Sequence, residues 1–239
     1  MKSQTINLLK KEITLGNSVQ TLCWLICCFG MFFIPSYPSY IGPFYITLAI
    51  MMTFALNQSS HDILYTVLLP VRKIDTVKAR FLYCGMQELF ALLSAGIAAI
   101  VRTLVHFPQN QAGIGLTLAY FGLQLVIFAV FNFLFLGNVY KDPLKPGLRY
   151  LVAAIAYFVV YALCELPVWA YFAVRGAAGA EAASAELPLL PAFGCAIISP
   201  VSAAAPVQLV VLFAGIVIFI ISWFITFRRA ARQFECYDL

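Results

Sequence analysis

Apolar residues in this chain fall into long runs that are separated by short polar stretches. Six runs are close to the ~20 residues that a helix needs to cross a bilayer. They cover residues 19–35, 41–57, 81–104, 116–138, 150–173 and 207–227. The pattern predicts an all-α, polytopic membrane protein with six transmembrane helices, in which residues 1–239 form a single transmembrane domain.

The polar segment 1–18 before the first run has a periodicity of its own. Ile6, Leu9 and Ile13 recur at helical spacing, and Lys and Glu residues lie between them. This pattern is typical of an amphipathic helix that lies in the membrane interface. The alternative is an ordinary cytoplasmic tail.

Composition supports the membrane prediction. The chain is 63% hydrophobic and 10% charged, whereas soluble domains are about 45–50% apolar and about 25% charged. A soluble fold could not bury this much apolar surface. The net charge of +5 does not indicate nucleic-acid binding, because the cytoplasmic loops of membrane proteins collect Lys and Arg.

Basic residues are distributed unevenly over the predicted topology. Thirteen of the 15 Lys and Arg residues lie on the side of the N-terminus, and only Arg102 and Arg175 lie on the other side. The positive-inside rule therefore places both termini, the loops 58–80 and 139–149 and the tail 228–239 in the cytoplasm. We expect a multi-pass protein of a cytoplasmic membrane.

The connection 174–206, before the last predicted span, is unusual. It begins with small residues and continues as an apolar stretch that is interrupted by prolines. It is too broken to cross the bilayer. It is either a re-entrant or surface-lying helical pair, whose backbone must be covered by protein or a cavity, or a loop on the outer surface.

The loop 58–80 is longer than a connection between two spans requires. Ser60 or Asp62 is a suitable N-cap for a short helix, and Ile63 and Val67 would lie on its apolar face. Such a helix would lie along the inner membrane surface.

Pro70 would end this short helix, and a second helix would start at Asp75 or Thr76 and enter the third span. The mixture of apolar and charged residues favours a docking surface for a cytoplasmic partner. The alternative is a solvated basic loop held to anionic lipid.

The stretch "LLPVRKIDTVKARFL" resembles the cytoplasmic loop of the ABC type-2 permeases, the six-span membrane subunits of ABC exporters. It is most similar to the small bacterial branch. The matching residues are Leu69, Pro70, Val71, Arg72, Lys73, Ile74, Asp75, Val77 and Lys78. The predicted topology resembles that family over nearly the whole chain.

The resemblance implies the membrane half of an ATP-driven exporter in a bacterial cytoplasmic membrane. Such a subunit pairs with a second copy or a paralogue and works with a separate cytoplasmic ATPase, which binds ATP and Mg. The segment before the third span would contain a coupling helix that docks on the ATPase. The implied coupling residues are Asp62, Ile63, Val67, Leu69, Pro70, Val71, Arg72, Lys73 and Asp75.

The family also forms part of its outer gate from the apolar segment before the last span, here 187–206. The chain has no GxxxxGK[ST] phosphate loop, so we expect no ATP hydrolysis by this subunit. We expect no catalytic residue, metal or cofactor of its own.

Four polar residues within the predicted spans are further candidates, because ionisable groups in a membrane are costly and often functional. Glu88 and Asn132 have similar depths, so we expect a hydrogen bond between neighbouring spans or a place in the translocation pathway. Arg102 and Glu165, nearer the outer side, would form an ion pair. Otherwise Arg102 extends to the headgroups and Glu165 is protonated.

Two other functions fit a membrane protein of this kind. An ion-coupled secondary carrier would need several buried polar groups near the middle of the membrane, and the chain offers few. A membrane scaffold or immunity protein would tolerate neutralisation of the loop charges. The residues do not identify a substrate, although the apolar spans favour an amphipathic peptide, lipid or drug.

Overall fold

The computed structural model describes residues 2–34, 37–60, 65–66, 71–106, 113–141, 145–178, 188–199 and 201–236. These residues form helices joined by turns, and none of them is in a β-strand. The helices are α1 (Lys2–Gly16), α2 (Val19–Met31), α3 (Ile41–Ser59), α4 (Lys73–Leu104), α5 (Leu118–Leu134), α6 (Leu136–Val139), α7 (Pro146–Ala178), α8 (Leu189–Ile198) and α9 (Val201–Glu235). The predicted all-α fold class is confirmed for this part of the chain.

Five of the described helical segments are long and apolar enough to cross a membrane: α3, α4, α5 together with α6, α7 and α9. A sixth results if α1 and α2, which meet at an 83° bend, are counted as one span. Alone, α2 is about 20 Å long at 1.5 Å per residue, which is shorter than the ~30 Å hydrocarbon core. The structure therefore supports a multi-pass membrane protein with five or six spans.

The helix predicted within residues 1–18 is present as α1, and the 83° bend sets it across the end of the bundle. Its buried residues Leu8, Glu12 and Gly16 recur every four positions and pack against α3 and α4. Ile6, on the adjacent apolar side, is 62% exposed. One face of α1 thus docks on the bundle, and a second apolar face stays open.

The helix predicted to start at Asp75 or Thr76 begins two residues earlier, and helices α3 and α4 both extend into the segment predicted as the loop 58–80. Helix α3 continues to Ser59, and α4 begins at Lys73 as one helix of 32 residues. The physical reason is burial, because Thr76, Val77, Ala79 and Arg80 pack inside the bundle. The second half of the charged stretch is therefore the first part of α4.

Helices α5 and α9 approach each other closely because glycines face each other across the contact. A Cβ atom at Gly122 would overlap the Val211 carbonyl oxygen, and one at Gly215 would overlap the Gly122 carbonyl oxygen. Small residues at such crossings let helix backbones approach and gain dispersion contacts that lipid cannot replace.

The predicted outer segment 174–206 contains α8, which packs against α7 and α9. A Cβ atom at Gly194 would overlap the Pro167 carbonyl oxygen, so α8 lies directly on α7. Gln208 donates from Nε2 to the carbonyls of Ala196, Ile197 and Ser199 at 3.1, 3.4 and 2.8 Å. These bonds satisfy carbonyls that the end of a helix leaves open.

The last predicted span, 207–227, lies within α9. Helix α9 has a kink at Ala204, whose dihedrals are non-helical, and Pro206 follows this kink. In a helix that starts again after the kink, Pro206 lies in the first turn, where a proline removes only a donor that has no intrahelical partner. Residues 179–187, in the middle of the connection, lie outside the described part of the chain.

The close α5–α9 contact predicts that Gly122→Ala and Gly215→Ala each lower the thermal stability of the purified protein. Overpacking of this kind costs about 1–3 kcal/mol. Gly96→Ala is the matched control, because a Cβ atom there meets no atom within 4 Å and alanine favours a helix by about 1 kcal/mol. Equal melting temperatures for all three variants would contradict this account of the packing.

Candidate functional site at the basic end of the bundle

One end of the bundle, here called the basic end, is formed by α1, the first turns of α4, α6 and the last turns of α9. Lys73 donates to the Glu235 carbonyl at 3.4 Å, which joins α4 to α9. Arg229 donates from Nη2 to Asn138 Oδ1 at 2.7 Å, which joins α9 to α6. The N-terminal helix and the end of α9 therefore lie on the same side of the molecule.

A buried ion pair holds α1 on this end. Arg80 donates from Nε to Glu12 Oε1 at 3.2 Å, and each side chain is only 2% exposed. Asn57 donates from Nδ2 to Glu12 Oε2 at 3.4 Å, and the Arg80 guanidinium lies 5.9 Å from the centre of the Phe54 ring. Helices α1, α3 and α4 therefore meet around one carboxylate and one guanidinium.

Tyr140, which follows α6, lies near the same ion pair. Burial raises the pKa of its phenol, and the positive charge of Arg80 offsets part of that rise. The phenol is therefore neutral at physiological pH and adds no further charge to the cluster.

Three more contacts hold α1 in place. Lys11 donates from Nζ to Thr66 Oγ1 at 2.7 Å, which links α1 to the connection between α3 and α4. Tyr83 donates from its hydroxyl to Asn17 Oδ1 at 3.0 Å, and a Cβ atom at Gly16 would lie 2.7 Å from the Tyr83 ring. The N-terminal helix is thus attached both to α4 and to the connection before it.

Sequence reasoning assigned Glu12 to the polar side of α1 and counted Arg80 among the loop charges, so it missed their pairing. A signal was present, because Glu12 is the only acidic residue before Asp62. An isolated acidic residue in a basic leader can indicate a specific partner, since a buried charge needs one.

Several of the predicted coupling residues lie outside the described part of the chain. They are Asp62, Ile63, Val67, Leu69 and Pro70. The remaining ones, Val71, Arg72, Lys73 and Asp75, lie together at the start of α4.

Arg72 has extended dihedrals at the N-cap of α4, and its carbonyl accepts the Asp75 N–H at 3.0 Å. The Asp75 carboxylate lies in the first turn of α4, where a negative charge complements the helix dipole. Arg72, Ile74 and Lys78 are exposed. A basic and partly apolar strip therefore remains accessible at the point where α4 enters the bundle.

The hydrogen bond predicted between Glu88 and Asn132 is present. Asn132 donates from Nδ2 to Glu88 Oε1 at 2.7 Å, and both side chains are buried. The bond joins α4 to α5 within the bundle.

The predicted ion pair between Arg102 and Glu165 is not present. Arg102 donates from Nη1 to the Phe32 carbonyl at 2.8 Å. The Ile114 N–H donates to the two Glu165 carboxylate oxygens at 3.1 and 3.3 Å. The reason is that the chain around Gly113, at φ 149°, runs over α7 and offers Glu165 a backbone donor.

Within the described residues, no group of three or more His, Cys, Asp or Glu side chains is placed to hold a metal ion. No protein-family model, curated protein or solved structure matches the chain.

The buried ion pair predicts an asymmetric mutational response. Arg80→Met leaves the Glu12 carboxylate buried without its cation and lowers stability by about 3–5 kcal/mol. The double variant Glu12→Gln, Arg80→Met recovers much of this loss, because no uncompensated charge remains. Thermal unfolding of the purified protein measures both effects.

Lys78→Met is the control for this experiment, because Lys78 lies on the exposed side of the same helix and should change stability little. If the double variant were less stable than both single variants, the pair would not act as one unit.

Proposed function

We propose that this chain is the membrane-spanning permease subunit of an ATP-driven ABC exporter. It moves an amphipathic substrate such as a peptide, lipid or drug across a bacterial cytoplasmic membrane. It pairs with a second copy or a paralogue, and a separate cytoplasmic ATPase binds ATP and Mg. The observation that carries the proposal is the stretch "LLPVRKIDTVKARFL", whose described part enters α4 at the basic end.

The length of α4 supports this role. Its 32 residues span about 48 Å at 1.5 Å per residue, so one helix extends from the exposed Arg72 region through the bundle. A force applied by a docked ATPase at its start would be carried along a continuous hydrogen-bonded rod. Coupling between a soluble motor and a membrane pathway requires a rigid element of this kind.

The attachment of α1 supports the same role. Because Glu12 binds Arg80 and Lys11 binds Thr66, α1 and the connection before α4 move together when α4 tilts. The basic end also collects most of the cationic side chains of the chain, which is expected of a cytoplasmic side. Both described ends of the chain lie at the basic end, which is the arrangement expected of a chain with six crossings.

A second candidate, an ion-coupled secondary carrier, is favoured by one observation. Glu88 and Glu165 are carboxyl groups buried within predicted spans, and carriers use such groups for ion binding. A carrier needs no ATPase partner, so the two candidates differ in what must bind to the basic end.

The proposal predicts that an ABC ATPase co-purifies with the chain from native membranes and that the chain stimulates its ATP hydrolysis. Reversal of one exposed charge, Arg72→Glu, should weaken this association by about tenfold or more, because like charges brought together at an interface cost several kcal/mol. Affinity capture followed by an ATPase assay measures both.

Lys145→Glu provides the matched control, since Lys145 is an exposed lysine in the other predicted cytoplasmic loop. It should leave ATPase stimulation close to that of the unmodified chain. Capture of the chain without any ABC ATPase, or equal effects of the two reversals, would refute the proposed coupling role.

A further inference from the structure

Two polar side chains form a buried cluster between α4 and α5. Glu88 and Asn132 are 2% and 1% exposed. Beyond the Asn132–Glu88 bond at 2.7 Å, one atom of each side chain, Glu88 Oε2 and Asn132 Oδ1, has no partner among the described residues. Both atoms are oxygens, so the cluster lacks a donor. Gln87 precedes Glu88 on α4 and is also buried.

An ionised Glu88 would lack a counter-ion at this position. The closest basic residue along α4 is Arg80, eight residues earlier and about 12 Å away along the helix axis, and it binds Glu12. On α9, Arg229 is bonded to Asn138. A buried carboxylate without a paired cation is strongly disfavoured, and such groups usually become neutral.

The other titratable groups around the cluster do not supply a positive charge. Cys84 lies one turn earlier on α4 and is buried. Cys28, on α2, contacts Ser94 of α4, and α3 presents Asn57 and threonines to the interior. A proton is therefore the cation that fits the site.

We propose that Glu88 is a proton-binding site. Its carboxyl takes a proton from water on Oε2 and donates it in a hydrogen bond to Asn132 Oδ1, while Oε1 keeps the bond from Asn132 Nδ2. One proton then satisfies the acid and the amide together and adds a second bond between α4 and α5. Loss of the proton to water leaves a carboxylate that repels the amide oxygen.

The site gives the protein a proton-dependent contact inside the bundle. Any rearrangement that separates α4 from α5 exposes Glu88 to water and allows the proton to leave. When the helices close again, the carboxyl must recover a proton. This inference goes beyond the proposed function, since it needs no ATPase and holds for the isolated chain.

Infrared spectroscopy of the purified full chain in lipid nanodiscs tests the proposal. A protonated carboxyl has a C=O stretching band that a carboxylate lacks and that shifts in D₂O. We expect this band at neutral pH, its decrease at alkaline pH, and loss of one component in Glu88→Gln. Glu165→Gln is the matched control and should leave the Glu88 component in place.

Two further variants test whether Asn132 accepts the hydrogen bond from the protonated Glu88 carboxyl. Asn132→Leu should move the Glu88 band to higher wavenumber, because a carboxyl that loses its hydrogen bonds has a stiffer C=O bond. Gln87→Leu should leave the band position almost unchanged. If the band shifted in Gln87→Leu and not in Asn132→Leu, Gln87 would be the acceptor of the Glu88 proton, and the proposed Glu88–Asn132 pair would be overturned.

Thermal stability provides a readout that does not depend on the band assignment. At neutral pH, Glu88 is protonated in the folded chain, whereas the same carboxyl in contact with water in the unfolded chain has lost its proton. The folded state therefore binds more protons, and its stability should fall as pH rises. Glu88→Gln replaces the O–H donor by a permanent N–H donor and should remove this part of the pH dependence. A pH profile that is identical in the two proteins, with no band lost in Glu88→Gln, would overturn the proton site.

Discussion

The constraint on which the structure depends is that a polar group in an apolar medium needs a partner from the chain itself. Several buried polar side chains in the described residues can be understood in these terms. Gln208 binds the open carbonyls of α8, Glu165 accepts a backbone N–H, and Arg102 binds the carbonyl of Phe32. Long helices follow from the same rule, since they satisfy their own backbone.

Helices of this kind are held together by close contact and by a few polar bonds, because lipid competes equally for apolar side chains. The α5–α9 contact uses the absence of side chains at Gly122 and Gly215 to bring two backbones together. At the basic end, the Glu12–Arg80 pair attaches α1 to α4. The glycine contact and the ion pair each bring together residues that are far apart in the sequence.

Helix α4 connects the features that matter for function. Arg72 precedes it at the surface, Arg80 binds α1, and Glu88 binds α5. These residues follow one another at intervals of eight, or about 12 Å along the helix. The exposed start of α4, the contact with the N-terminal helix and the proton site proposed at Glu88 therefore lie in this order along one continuous helix.

The sequence alone determined the elements that depend on local pattern. Apolar runs of sufficient length predicted the helices, and the spacing of apolar residues before Val19 predicted α1. The depth of Glu88 and Asn132 also sufficed to predict their hydrogen bond. These features could be predicted because helix periodicity and the cost of buried polar groups act within one segment or between neighbouring spans.

Only the tertiary structure decided where the remaining charges find partners. Arg80 counts as a charge of the cytoplasmic loop until Glu12, 68 positions away, is seen beside it. Glu165 likewise accepts the Ile114 N–H and does not pair with Arg102, because the fold brings Gly113 and Ile114 next to α7. Partner choice is a long-range property, since it depends on which segments packing brings together.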